Sequence, residues 1–209
     1  MASKRRDRAR APARRGPHLE PRKRILVLSE GECTEPEYLE GFRRWCRNPL
    51  VSVKIAEERG VPLTLVRAAK KHRADAQKAA KREGDENHAY DEVWCVFDVD
   101  EHPYLNQALD EARTAGIEVA LSNPCFELWL LLHFQDSPGP RGHKELPALL
   151  SRHIGPYDKR VRIELLWPRY EDAKRRAERL DRDANEAAEP QRNPTTGVYR
   201  LTETIRRRV

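Results

Sequence analysis

The chain is poor in the residues that would announce several common functions. Among its 209 residues are only four cysteines, Cys33, Cys46, Cys95 and Cys125, and none forms a C-x-x-C pair. With Cys95 inside an apolar stretch, they read as reduced thiols rather than a disulfide frame or a zinc site. No apolar run reaches the ~18 residues of a membrane span. The N-terminus is charged and lacks the apolar segment of a secretory signal. A Walker A loop, a Gly-rich dinucleotide fingerprint and a convincing Ser/His/Asp order are also missing. The expectation is a cytoplasmic bacterial protein that uses neither P-loop nor dinucleotide chemistry.

Charge is plentiful and unevenly placed. Charged residues make up 35% of the chain and the formal net charge is +6. Residues 1–24 carry ten Lys and Arg against Asp7 and Glu20, so the rest of the chain is slightly acidic. Residues 1–22 have almost no large apolar side chain and read as disordered, because they cannot bury enough surface to offset ordering entropy. Arg5, Arg6, Arg14, Arg15 and Lys23 are candidates for gripping phosphate backbones through salt-sensitive contacts; a solubilising tail with no specific role is the alternative. The expected organisation is a basic tail over 1–23, an α/β core over 24–140 and a helical extension over 141–209 packed on that core.

Two apolar runs end in acidic clusters. The first is Ile25-Leu26-Val27-Leu28-Ser29-Glu30-Gly31-Glu32 and the second Val93-Trp94-Cys95-Val96-Phe97-Asp98-Val99-Asp100-Glu101. Short apolar runs closed by turn residues read as buried strands. Ligands in parallel sheets bind beyond the carboxyl ends of the strands. Glu30, Asp98 and Asp100 are therefore expected at one sheet edge, where three carboxylates repel one another unless a cation intervenes. Mg²⁺ suits such oxygen donors and points to phosphate chemistry. Asp98 and Asp100, two apart on a strand, share one face. The bland alternative is an acidic loop.

Helical spacing follows the first run. Thr34 and Glu37 form a capping-box pattern, and the helix is expected from there to about Arg47, its first N–H groups facing the carboxylates as a phosphate site would require. A strand at Val51, Val53 and Ile55 precedes a long helix from Pro62 to about Arg82, with Leu63, Val66, Ala69 and Ala76 inside. After the second acidic run come a helix over 103–115, a strand over 117–121 and a buried helix over 125–134, with Asn123 as N-cap and Pro124 at its first position. Helices are also expected near 143–153, 168–187 and 196–208. This alternation indicates an α/β fold with a mostly parallel sheet.

Accessory site candidates are Glu32, Thr34, Asn123 and Glu127. Glu32 and Glu35 also read simply as solvated turn residues that complement a helix dipole. Glu127 stands alone among Phe126, Leu128, Trp129 and Leu130, so it needs a metal, a basic group or Asn123 as partner, or else an exposed position. His133 reads as a core histidine rather than a ligand.

The stretches Arg24–Leu39, with its E-G-E-C-T-E-P-E-Y core, Phe97-Asp98-Val99-Asp100, Ser122–Trp129 and Asn193-Pro194-Thr195-Thr196 resemble the RloB-like protein family. That resemblance implies a Toprim-like sheet flanked by helices, with Glu30 as the strand-end glutamate and Asp98 and Asp100 as the D-x-D metal pair. It further implies a Mg²⁺- or Mn²⁺-dependent nuclease acting on DNA or RNA, an ATPase partner and a role in phage defence. A non-catalytic subunit that binds nucleic acid or the ATPase is the rival reading. Transfer to a small nucleotide is a third, for which no nucleotide pocket is visible in the sequence.

Overall fold

The computed structural model describes residues 22–99 and 102–207. Apolar runs supply β1 (Lys23–Ser29), β2 (Val51–Ile55), β3 (Glu92–Asp98) and β4 (Glu118–Asn123), joined by a two-residue β5 (Thr195–Thr196). They form one sheet in the order β2-β1-β3-β4-β5. The first four strands are parallel, and β5 alone runs antiparallel, against β4. The fold is α/β with a mostly parallel sheet flanked by helices, consistent with the expected Toprim-like architecture.

Helices cover both faces, as a parallel sheet requires. Leu26, Leu28, Val93, Cys95 and Phe97 face α2 (Pro62–Glu83) and α3 (Leu105–Ala115). Ile25, Val27, Trp94 and Val96 face the opposite way, into a larger core. That core takes in α1 (Thr34–Cys46), α4 (Glu127–Leu132) and α5 (Glu145–Ile154), together with α7 (Tyr170–Glu186) and α8 (Val198–Arg206). The short α6 (Ile163–Leu166) packs its Leu166 there as well. Each fully buried aliphatic side chain contributes about 1.5–3 kcal/mol. By strand alternation Asp98 shares the face of Trp94 and Val96, the side of α1 and α4.

Three local expectations are corrected. Thr34 and Glu37 do not cap α1: Cys33 is the N-cap residue and makes no capping bond through its side chain. The Thr34 hydroxyl donates to the Lys159 carbonyl, and the Glu37 carboxylate accepts the Val161 N–H. Both side chains tie down the 157–161 loop, which competes successfully for the groups a capping box would have used. Asn123 is not an N-cap either. It remains in β4, its amide donates to the Gln191 carbonyl, and the Asn123–Pro124 peptide is cis. Helix α4 begins only at Glu127 and spans six residues, all buried. On α2 the buried residues are Pro62, Leu65, Val66, Ala69 and Ala80, so the inner stripe is rotated from the one expected. No described helix is long and apolar enough to cross a membrane.

Candidate metal centre at the carboxyl edge of the sheet

A cavity of about 370 Å³ opens where β1 and β3 end and α1 begins. β1 delivers Glu30, the turn and first helical residues deliver Gly31 to Glu35, and β3 delivers Asp98. Phe126 and Glu127 come from the start of α4, while His143 and Lys159 come from the loops on either side of α5. Five carboxylates therefore meet one lysine and one histidine.

Asp98 is the least compensated of these acids. Its Oδ1 is buried and has no hydrogen-bond partner. Burial, and then the charges of Glu35, Glu127 and Glu30, push its pKa well above the usual carboxylate range, against the Phe126 N–H. Glu30 is more firmly held. Its Oε2 accepts the Asp98 N–H at 3.3 Å, and its Oε1 lies 2.9 Å from His102 Nε2. Glu35 is buried, not solvated as the turn reading expected, and burial raises its pKa. It accepts the Gly31 N–H at 3.1 Å. A Cβ at Gly31 would lie 2.0 Å from a Glu35 carboxylate oxygen, so glycine here admits that carboxylate rather than merely turning the chain.

Glu127 is also buried, and its partner is none of those expected. The Tyr157 hydroxyl donates to Glu127 Oε1 at 3.2 Å and lies 3.0 Å from Thr34 Oγ1. Glu32 lines the cavity while remaining exposed. The structure thus brings together Glu30, Glu32, Thr34, Asp98 and Glu127, but not Asn123, which Gln191 holds elsewhere. Asp100, Arg5, Arg6, Arg14 and Arg15 lie outside the described residues. Lys23 stands at the opposite, amino end of β1, where it pairs with Glu92. His133 is fully buried; its Nδ1 pairs with the Trp129 carbonyl, whereas its Nε2 has no partner.

Sequence reasoning missed His102, His143, Tyr157 and Lys159. His102 lies four residues beyond Asp98 and was within reach of the motif. The other three come from loops whose approach to the cavity no local pattern encodes. The cysteines were discounted as metal ligands from their spacing and the apolar setting of Cys95, yet donor atoms of Asp98, Cys125 and His143 all lie within 4.8 Å of one another.

A buried, unpartnered carboxylate oxygen among further carboxylates is the donor set a hard dication requires. Glu30 and Asp98 offer such oxygens, and the charges of Glu35 and Glu127 act on Asp98.

The sequence matches the RloB-like protein family over residues 25–205, and the chain belongs to that family. No curated protein and no solved structure matches it.

Proposed function

We propose that the chain is a metal-dependent nuclease that hydrolyses phosphodiester bonds in DNA or RNA, using Mg²⁺ or Mn²⁺. The observation that carries this reading is Asp98 Oδ1, buried and unpartnered beside Glu30, Glu35 and Glu127. A cation held by Asp98 and Glu30 would polarise a phosphate and lower the pKa of an attacking water. The residues of the chain do the positioning. Glu30 is aimed by His102 and by the Asp98 N–H, which leaves it set to hold metal or accept a proton. Tyr157 fixes Glu127. Lys159 supplies positive charge at a wall of the cavity that five carboxylates otherwise make acidic. The first turn of α1 adds backbone N–H groups on the same side. An ATPase partner and a part in phage defence are further elements of the proposal and rest on the family resemblance alone.

The test is cleavage of labelled plasmid, single-stranded DNA and total RNA over a Mg²⁺ and Mn²⁺ titration, with Asp98→Asn and Glu30→Gln alongside. Metal-dependent cleavage lost in both variants supports the reading. Variants that cleave like wild type would sink it. Salt-sensitive binding that needs neither metal nor Asp98 would favour a non-catalytic binding subunit.

A further inference from the structure

We infer that the cavity also contains a site for a thiophilic first-row dication, of which Zn²⁺ is the type, built from Asp98, Cys125 and His143. The inference deepens the preceding reading and rests on it only for the premise that the cavity takes a cation. An all-oxygen set favours Mg²⁺, whereas thiolate and imidazole donors favour Zn²⁺ and its neighbours. Here one carboxylate, one thiol and one imidazole converge from three separate elements. Asp98 ends β3, Cys125 follows β4 immediately after Pro124, and His143 lies in the loop before α5. Their donor atoms all fall within 4.8 Å of one another. Tetrahedral zinc places its ligands roughly 3.3–3.8 Å apart, given bond lengths of about 2.0–2.3 Å. The exposed His143 side chain is the member of the set free to rotate toward the other two.

One further observation points to a ligand: Asp98 Oδ1 is buried and lacks any partner. Cys125 is fully buried, with its Sγ 3.9 Å from the His143 carbonyl and against Glu127. That thiol also lies near Asp98. Binding of the dication would release the thiol proton to solvent as the metal–sulfur bond forms. Glu127 or water would complete the set. Cys33, by contrast, is exposed and Cys46 and Cys95 lie elsewhere in the fold, so this property belongs to Cys125 among the four cysteines.

The experiment is a Co²⁺ titration of the full chain, read by absorption, followed by displacement with Zn²⁺. Wild type is expected to show the near-ultraviolet charge-transfer band of a thiolate–cobalt bond. Zn²⁺ should abolish it stoichiometrically, because Zn²⁺ binds such sets more tightly than Co²⁺. Cys125→Ser should lack the band, and His143→Ala, changed at an exposed position that the fold tolerates, should weaken Co²⁺ binding at least tenfold. Co²⁺ binding without a thiolate band, no Co²⁺ binding, or a band that survives Cys125→Ser would each overturn the inference. Wild-type cleavage in Mg²⁺ alone is scored separately. Cleavage with a bandless cobalt spectrum removes this site and leaves the nuclease reading. A thiolate band without cleavage does the reverse.

Discussion

The acids of this protein live in two contrasting settings. Away from the cavity several are matched with bases. Glu111 lies between Arg67 and Lys70, Asp136 is held by Arg176, and Glu40 by Arg43 and Arg44. In each case the neighbouring cations draw the carboxyl pKa below its usual range. At the carboxyl edge of the sheet the opposite holds. Asp98, half-buried with its Oδ1 sealed from solvent, and the buried Glu35 stand among other acids and their pKa values rise. A chain with 40 Lys and Arg does not lack cations to place there. Unpaired buried charge destabilises a fold, and here that cost is concentrated at the edge where the proposed site lies.

Removing the central acid breaks the contrast most severely. Asp98→Asn is expected to lower metal-dependent cleavage by about 10³-fold or more, equivalent to ~4 kcal/mol of transition-state stabilisation. Its stability should move the other way. A carboxyl with a raised folded pKa disfavours the folded state progressively as pH climbs above its unfolded pKa near 4. The metal-free variant should therefore melt higher than wild type at pH 7, and the gap should close as pH falls toward 4. Thermal melts across pH check both signs.

A second buried group sharpens the comparison by titrating in the opposite sense. Burial lowers the His133 pKa to about 4, against partial support from the Trp129 carbonyl. The folded state keeps His133 neutral while the unfolded chain protonates it near pH 6.5. Its contribution is complete above pH 6.5 and is lost as pH falls to about 4, on the order of 3 kcal/mol in all. His133→Leu should flatten the denaturation midpoint over that interval. An unchanged slope would assign the acid sensitivity to other groups.

Smaller effects are expected where the acids have partners. Tyr157→Phe leaves the buried Glu127 without its donor and should destabilise by about 1–2 kcal/mol, read by urea melts at pH 7. On the paired surface, Glu203 is pushed up by burial, but Lys174, Tyr170 and Arg206 together hold its pKa low. Glu203→Gln should destabilise by less than about 1 kcal/mol, and less still in high salt. A cost at Glu203 greater than that at Tyr157 would reverse the ranking of the two settings.

Much of this was legible along the chain. The runs Ile25–Leu28 and Val93–Phe97 are apolar on both faces because their sheet is covered on both sides, so strand identity needed no tertiary information. Gly84 and Gly116 end α2 and α3 with positive φ, a conformation that glycine adopts readily. The motif at Thr34 and Glu37 misled because a capping box is a local bargain, and the 157–161 loop offered those two side chains better partners from over 120 residues away. Asn123-Pro124 misled in the same way, since Gln191 claimed the asparagine.

The amino-acid sequence by itself determined the alternating α/β order, the buried central strands and the placement of Glu30 and Asp98 at strand ends. These follow from hydrophobic periodicity and from the direction of parallel strands, both of which act over a few residues. Only the tertiary structure decided that Glu35 and Glu127 are buried, that Tyr157 and His102 orient the acids, and that Cys125 and His143 come to Asp98. Those contacts join residues brought together by long-range packing, and no period or local propensity encodes which loop arrives at which strand end.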